Sequence, residues 1–368
     1  MIRCQAAIAD GFGRFEVDTI EVGDPTDDEV LVQLQASGIC HTDHASLQWG
    51  RPLIMGHEGA GFVRATGPLV SEFSAGDPVV LNWAIPCGTC FQCVRGAQVL
   101  CETSRPAHVL QRSAGHARPD GTLWQSQPID RSFNLGTLSE WTLVRSAALT
   151  RIPPGVPFSS AAIVGCGVMT GFGSLTNVAR PQPGDRIVVL GCGGVGLNII
   201  QAARLAECGR IIALDQRSAG LERARDFGAT HVIQVSPDDN TLAEVVRRVM
   251  DWTEGRGADF AFEATSVPRL AFAPLRFVRD GGMALQVSGI NESVTGEMPD
   301  FMWNKTYLTP LYGDCVPSRD FPRIFRHYLR GELRLDELVT RTYQLGELAN
   351  ALNDMMEGRN AKGVILFD

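Results

Sequence analysis

The feature that most constrains the fold is a glycine-rich turn between two apolar segments. Residues 184–215, GDRIVVLGCGGVGLNIIQAARLAECGRIIALD, have the pattern of a strand, a glycine turn, a helix and a second strand. Gly191, Gly193 and Gly196 have G-x-G-x-x-G spacing inside this unit. Because strands and helices continue to alternate after it, the sequence predicts a doubly wound parallel sheet.

The sequence on either side of this unit predicts two kinds of architecture. Residues 269–282 (RLAFAPLRFVRDGG) are predicted as a helix and residues 283–289 (MALQVSG) as a strand of the sheet. The first 150 residues instead contain short β-branched runs separated by Gly and Pro, which predict an irregular all-β domain. Within them, residues 103–128 are polar and are predicted as a long loop. Two helices and a strand are predicted to close the chain.

The glycine turn in this setting is typical of dinucleotide binding. Glycines permit a tight turn and let backbone N–H groups approach a pyrophosphate, and the helix N-terminus adds favourable partial charge. Asp215 ends the second strand, where its carboxylate can accept hydrogen bonds from an adenosine ribose and repel a 2′-phosphate. This predicts NAD rather than NADP, and Arg217 would weaken the preference. A glycine turn without a ligand is the alternative.

Four cysteines fall within fifteen residues in the pattern C-x2-C-x2-C-x7-C. These are Cys87, Cys90, Cys93 and Cys101. Thiolates at such spacing converge on a tetrahedral Zn²⁺, and four protein ligands leave no open position, so we predict a structural zinc. Loose reduced cysteines are the alternative.

Net charge and hydropathy argue against nucleic acid and membrane as partners of this protein. The net charge of −8 argues against a nucleic-acid footprint. The sequence has no apolar run of about 20 residues and no signal-peptide pattern, so we expect no membrane partner and a cytoplasmic protein with reduced thiols.

The stretch GICHTDHASLQWGRPLIMGHEGAG concentrates metal ligands and titratable groups between glycines. Cys40 and His57 suit zinc, and the isolated Cys166 would complete three protein ligands with one open position. Zinc there would lower the pKa of an alcohol oxygen, so that hydride could pass to NAD. Glu58 would bind the zinc transiently or shape its field, and Asp43 would orient His57. A buried cysteine and a satisfied loop histidine are the ordinary alternatives for these residue types.

The motifs GICHTD, GHEGAGFV, CGTCFQC, GCGVMTGFGS, GCGGVG, GADFAFEAT and KGVIL occur in this order along the chain. The sequence thereby resembles the zinc-containing medium-chain alcohol dehydrogenases over almost its whole length. This resemblance implies an α/β protein with two domains. One is a GroES-like irregular β catalytic domain over 1–167 and 312–368, and the other is a Rossmann-type doubly wound parallel sheet for the coenzyme over 168–311.

The resemblance also implies roles for individual residues. Cys40, His57 and Cys166 match the catalytic zinc ligands, the four clustered cysteines match the structural ones, and Thr42 matches the hydroxyl that bonds the substrate alcohol. Lys362 falls where a basic residue meets the pyrophosphate. The expected coenzyme-binding residues are His41, Thr170, Gly191, Gly193, Gly194, Val195, Gly196, Asp215, Arg217, Arg269 and Lys362.

Two departures from the family pattern affect the expected proton path and pocket. Ala45 stands where many relatives have a relay histidine, so His44, His41 or water would carry the proton outward. The interval from Cys40 to His57 is shorter than in many relatives, which should reshape the pocket entrance. The expected pocket residues are Leu47, Trp49, Trp83, Arg105, Leu138 and Ile290.

The sequence therefore predicts an NAD- and zinc-dependent alcohol dehydrogenase for a primary, bulky apolar or aromatic alcohol. Arg105 resembles the arginine with which glutathione-dependent formaldehyde dehydrogenases bind glutathione, so S-(hydroxymethyl)glutathione is an alternative substrate. A non-catalytic zinc- and nucleotide-binding relative is the alternative of a different class. We expect a homodimer joined through the coenzyme domain near the strand Met283–Gly289, with a homotetramer as the other possibility.

Overall fold

The computed structural model describes residues 1–103, 121–239 and 241–367. The chain divides into two compact units. The first comprises Met1–Cys166 and Val316–Asp368, and the second comprises Gly167–Cys315.

The first unit is built on two sheets of short strands. The strands are Ile2–Ala9 (β1), Phe15–Val22 (β2), Glu29–Gly38 (β3), Leu53–Ile54 (β4), Glu58–Thr66 (β5), Pro78–Leu81 (β6), Leu123–Trp124 (β7), Gln127–Pro128 (β8), Asp130–Arg131 (β9), Trp141–Arg145 (β10), Leu149–Arg151 (β11), Val339–Tyr343 (β18) and Lys362–Leu366 (β19). One sheet has the order β8-β7-β2-β1-β4-β9, and the other has the order β11-β6-β5-β3-β19-β18 with β10 also paired to β3. This confirms the irregular all-β architecture expected for the first 150 residues.

Five helices accompany these sheets in the described part of the unit. They are His41–Ser46 (α1), Phe91–Val94 (α2), Phe158–Ala162 (α3), Pro317–Leu329 (α8) and Leu348–Met356 (α9). The closing strand β19 pairs antiparallel with β3, so that Val364 lies opposite Gly38. The C-terminal segment thus returns to the sheet that carries the first cysteine-histidine motif.

The loop predicted over residues 103–128 lies largely in 104–120, outside the described residues. The prediction is wrong at its end, where β7 and β8 form a hairpin. Trp124 pairs with Ile20 of β2, and its indole N–H donates to Asp18 at 2.7 Å. An aromatic side chain with a hydrogen-bond partner stabilises this short strand in a segment that reads as polar.

The second unit is a six-stranded parallel sheet with the order β14-β13-β12-β15-β16-β17. Its strands are Arg186–Leu190 (β12), Arg210–Asp215 (β13), His231–Gln234 (β14), Ala258–Glu263 (β15), Val278–Gln286 (β16) and Thr306–Leu308 (β17). Its helices are Gly167–Gly173 (α4), Gly194–Leu205 (α5), Ser218–Phe227 (α6) and Ala243–Trp252 (α7). The chain runs outward from β12 to β14 and then returns to β15, which confirms the doubly wound topology and places its switch point between β12 and β15.

The helix predicted over residues 269–282 is wrong. The structure has two short 3₁₀ turns, Pro268–Leu270 and Ala273–Arg276, followed by β16. Pro274 has no N–H to donate within a helix, and Gly281 has a positive φ of 68° inside a strand with an irregular register. The glycine pair therefore permits a bulged strand where the apolar spacing suggested helix.

No single helix in the described ranges is long and apolar enough to cross a membrane. One bent pair of helical segments, Phe158–Gly165 with Gly167–Ala179, meets the criterion by length and composition, and most of its residues are buried in the protein.

Candidate active site

The first unit brings together Cys40, His57, Glu58 and Cys166. One potential ligand atom from each lies within 4.8 Å of the other three. Cys40 is the N-cap of α1, whose capping box is completed by Asp43: the Asp43 carboxylate accepts from the Cys40 N–H at 2.9 Å. The cap thereby holds the Cys40 sulfur at a helix N-terminus.

A buried carboxylate orients the histidine of this cluster. His57 Nδ1 and Asp43 Oδ1 are 2.8 Å apart, and both side chains are almost fully buried. Burial alone would lower the pKa of His57, but the Asp43 carboxylate raises it well above its ordinary value. Because Nδ1 is bonded to Asp43, Nε2 is the ring nitrogen left to act as a ligand.

Glu58 differs from the other members because its two oxygens have different surroundings. Oε1 accepts from Lys362 Nζ at 2.7 Å, whereas Oε2 is buried with no hydrogen-bond partner among the described residues. Burial raises the pKa of Glu58 to about 7, although Lys362 lies beside it. The hydrogen bond from Cys166 meanwhile lowers the pKa of Cys40. Two sulfurs, an imidazole nitrogen and an unpartnered carboxylate oxygen form a donor set that fits zinc.

The four clustered cysteines form a second donor set, with their sulfurs within 4.8 Å of one another. Backbone N–H groups point at the sulfurs, among them Cys87 to Cys101 and Cys90 to Cys87, both at 3.3 Å. Hydrogen bonds from the Thr103 hydroxyl and from backbone N–H groups lower the pKa of Cys87 to about 5. Donors aimed at sulfur favour thiolates, which are the form that binds zinc.

The second unit places the glycine turn directly after β12. Gly191 has a φ of 93°, and a Cβ there would lie 2.7 Å from the Ala264 carbonyl oxygen. A Cβ on Gly196 would lie 1.8 Å from the Gly191 carbonyl oxygen, so both positions require glycine. At Gly193 no described atom lies within 4 Å of an added Cβ, which leaves space for a ligand at the N-terminus of α5.

Asp215 lies at the end of β13 beside this turn. Its carboxylate accepts from the Cys192 N–H at 2.7 Å and from the Arg217 N–H at 2.9 Å. The Arg217 guanidinium is half exposed, with Nε 3.9 Å from Asp215. Gly194 and Val195, which were also expected to contact coenzyme, form the first turn of α5.

The remaining expected residues are more dispersed. Thr42 Oγ1 is 3.7 Å from the Cys40 sulfur, while His41 and His44 are exposed on α1. Thr170 is buried in α4, Arg269 is exposed and Ile290 is half-buried, all in the second unit. Lys362 belongs to the first unit and contacts Glu58 there. Arg105 lies outside the described residues.

The ring of Phe133, which the sequence did not predict as a pocket residue, packs against His57. The Phe133 ring centroid lies 5.0 Å from that of His57, 5.1 Å from Trp83 and 5.9 Å from Trp49. Phe133 has a φ of 54°, which is an outlier for a bulky residue and is typical of functional sites. The neighbouring Asn134 and Gly136 indicate a turn in the sequence, but nothing local indicates which residue points at His57.

The other two expected pocket residues are buried in the core behind this aromatic cluster. Leu47 and Leu138 share one hydrophobic core cluster with Met55, and Trp49 packs against it. The Leu138 N–H donates to the Met55 carbonyl oxygen at 2.9 Å, which fixes the segment after Phe133 to the strand that leads to His57.

A metal-ligand cluster in one unit and a dinucleotide-type turn in the other define a metal- and nucleotide-dependent oxidoreductase. Comparison with known proteins agrees with this class. Residues 26–154 match the alcohol dehydrogenase GroES-like domain, and residues 194–328 match the zinc-binding dehydrogenase family.

Full-length relatives make the assignment more specific. Alcohol dehydrogenase B of Mycobacterium tuberculosis is 34% identical over 374 residues, covering 96% of this chain and 95% of that protein. The S-(hydroxymethyl)glutathione dehydrogenase of Synechocystis is 30% identical and covers 100% of both. The crystal structure of benzyl alcohol dehydrogenase from Acinetobacter calcoaceticus has a TM-score of 0.89 at 28% identity, covering 100% of both chains.

The chain belongs to the zinc-containing medium-chain alcohol dehydrogenase family. It is an NAD-dependent zinc oxidoreductase with a GroES-like domain and a Rossmann-type domain, and zinc and NAD are its cofactors. The non-catalytic relative considered from the sequence is therefore set aside.

Proposed function

We propose that this enzyme reversibly oxidises a primary alcohol with a bulky apolar or aromatic group to the aldehyde, and that it works in the cytoplasm. The observation that carries this proposal is the Phe133 ring against His57, with the Trp49 and Trp83 rings against Phe133. Aromatic walls bind an aromatic substrate through apolar burial and edge-to-face contacts, and they give a small alcohol such as ethanol little to contact.

We assign Cys40, His57 and Cys166 to the catalytic zinc, and Cys87, Cys90, Cys93 and Cys101 to the structural zinc. When bound, the cofactors supply a Lewis acid for the alcohol oxygen and a hydride acceptor for its carbon. Within the chain, Asp43 keeps the His57 ring in its ligand orientation. We assign the Thr42 hydroxyl, beside the Cys40 sulfur, to receive the alcohol proton, and the exposed His44 or His41 to release it to water.

The substrate is tested by NADH formation with two substrate systems. We expect zinc-replete enzyme to oxidise benzyl alcohol far more efficiently than formaldehyde with glutathione. Phe133→Ala should raise KM for benzyl alcohol more than KM for ethanol, because it removes the ring that packs against His57. Trp124→Leu, which changes an aromatic side chain in a different core cluster, should leave both KM values unchanged.

S-(hydroxymethyl)glutathione is the second candidate substrate because full-length relatives carry that activity in their names. Efficient turnover of formaldehyde that depends on glutathione, with benzyl alcohol poor, would favour this candidate. Loss of that turnover in Arg105→Ala would then assign Arg105 to the glutathione carboxylate.

We expect Asp215→Ala to reduce the preference for NAD over NADP by roughly tenfold or more. Two unit charges 4 Å apart repel by about 1–4 kcal/mol, and 1.4 kcal/mol corresponds to tenfold. The measurement is kcat/KM with each coenzyme. Asp226→Ala, an exposed aspartate on α6, is the matched control. An unchanged ratio would remove Asp215 from coenzyme selection.

We also propose a homodimer joined along β17, rather than a homotetramer. The strand Met283–Gly289 expected at the interface is largely β16, which pairs with β15 on one side and β17 on the other. β17 is therefore an edge strand of this sheet, and edge strands offer unpaired backbone groups to a second chain. Exposed apolar side chains near it are Met298, Met302, Trp303, Leu308 and Leu311.

Leu308→Asp is expected to convert the dimer to a monomer, because a carboxylate beside the open edge must be desolvated on pairing. Light scattering after size-exclusion chromatography measures the mass directly. Leu69→Asp, at an exposed leucine of the first unit, should remain dimeric. If Leu308→Asp remains dimeric as well, β17 is not the interface.

A further inference from the structure

A buried lysine stands beside the proposed catalytic zinc ligands. The chain has two lysines, Lys305 and Lys362, and the side chain of Lys362 is 8% exposed. Its Nζ donates to Glu58 Oε1 at 2.7 Å and to the Ile39 carbonyl oxygen at 3.0 Å. Burying an ammonium group raises the free energy of the folded protein unless the charge is paired, so the burial of Lys362 calls for a structural reason.

Three adjacent strands fix the ion pair. Lys362 begins β19, which pairs with β3, and Glu58 begins β5, which pairs with β3 on its other side. Gly38 of β3 lies opposite both neighbouring strands, and a Cβ on it would be 2.1 Å from Glu58 Oε2. The Glu58 carboxylate, which accepts a hydrogen bond from Lys362, therefore occupies space that any side chain at position 38 would fill.

The pairing of Glu58 is one-sided. Lys362 occupies Oε1, whereas Oε2 has no hydrogen-bond partner among the described residues. A Glu58 oxygen also lies within 4.8 Å of the sulfurs of Cys40 and Cys166 and of an imidazole nitrogen of His57. The carboxylate is thus close enough to the donor set to compete for a metal there.

We propose that Lys362 is a positioning residue that restrains Glu58 and keeps it from becoming a fourth protein ligand of the zinc. Two thiolates and a carboxylate carry three negative charges against two on the metal, and the ammonium balances the third. Without Lys362, the metal is the nearest cation for a buried carboxylate, which would bind it and close the substrate position. This differs from the pyrophosphate contact that the family resemblance implied for Lys362.

The inference rests on the proposed assignment of Cys40, His57 and Cys166 to zinc, so the experiment tests both separately. Zinc is replaced by Co²⁺, whose visible d–d bands report coordination number and ligand type. The four-cysteine site contributes equally to all variants, so difference spectra report the other site. Imidazole serves as an added ligand that needs the open position.

We expect Lys362→Met to change the cobalt bands and to weaken imidazole binding by at least tenfold. Glu58→Gln should retain wild-type bands, and the double variant Lys362→Met/Glu58→Gln should recover both the bands and imidazole binding. Lys362→Gln, which can still bond the Ile39 carbonyl, should behave like Lys362→Met and serves if the methionine variant does not fold.

The proposal would be overturned if both Lys362 variants kept the wild-type cobalt bands and bound NADH more weakly, as measured by fluorescence. That result would favour a contact between Lys362 and the coenzyme pyrophosphate. A lack of recovery in the double variant would also overturn it. If wild-type enzyme binds one cobalt per chain, the ligand assignment itself is wrong and the role of Lys362 falls with it.

Discussion

Replacing His57 with alanine is expected to reduce the zinc content from two ions per chain to one and to lower kcat/KM for alcohol oxidation by on the order of 10³-fold or more. Loss of Lewis-acid stabilisation is worth several kcal/mol, and each 1.4 kcal/mol is tenfold in rate. Metal analysis and steady-state kinetics on the same preparation measure the two effects together.

The neighbouring Asp43 provides a graded version of this experiment. Asp43→Asn keeps a hydrogen-bonding group near His57 Nδ1 but removes the charge, and substitutions of such supporting residues cost about 10–100-fold in metal affinity or activity. Asp43→Asn should therefore lie between the wild type and His57→Ala in both readouts.

His327→Ala is the matched control for His57→Ala. His327 pairs with Glu332 at 2.6 Å and lies outside both ligand clusters, so this variant should retain two zinc ions and full activity. If His57→Ala also retains two zinc ions, the catalytic zinc ligands are not those proposed.

The parts of the molecule that were predicted correctly depend on local sequence. The strand, glycine turn and helix at 184–215 could be predicted because steric limits on φ and on backbone approach are local, as Gly191 and Gly196 illustrate. The convergence of the four clustered cysteine sulfurs could be predicted for the same reason, since they lie within fifteen residues, and their role as zinc ligands stays a prediction. Cys166 is far from Cys40 in sequence, so spacing could not pair the two; Cys166 was predicted because it stands isolated beside glycines, and the family resemblance agreed.

Most of the parts that were missed depend on contacts between distant segments. Lys362 and Glu58 are 304 residues apart, and their contact follows from the pairing of β19 with β3. Phe133 reaches His57 through a left-handed backbone conformation that propensity does not favour. In residues 269–282 the apolar spacing favoured a helix, but Pro274 and the glycine pair at 281–282 prevented it. Tertiary contacts decided the first two cases, and local backbone limits decided the third.

The second large effect concerns the lobe that holds the four cysteines. Cys93→Ala is expected to remove the other zinc and to unfold residues 87–101 locally. The regular structure here is the four-residue α2 and a three-residue 3₁₀ turn, and the apolar side chains of Phe91 and Val94 are exposed. Such a segment buries little apolar surface, so metal binding supplies most of its folding free energy.

We expect the loss to lower the Tm by roughly 10 °C, because about 4 kcal/mol of destabilisation shifts a domain of this size by ~2–4 °C per kcal/mol. Thermal unfolding, zinc content and limited proteolysis within residues 87–101 measure this together. Cys208→Ala is the matched control, since Cys208 lies outside both clusters, and it should retain both zinc ions and the wild-type Tm.

The two zinc sites should respond differently to these substitutions. His57→Ala removes a ligand from a cluster surrounded by core residues, so it should abolish activity with a smaller effect on the Tm. Cys93→Ala should lower the Tm and expose residues 87–101 to protease, while the remaining folded enzyme still binds its other zinc and turns over substrate. A structural zinc stabilises the lobe that binds it, so its loss must unfold that lobe and lower the Tm. If Cys93→Ala instead abolished activity without lowering the Tm, the four-cysteine site would not be structural.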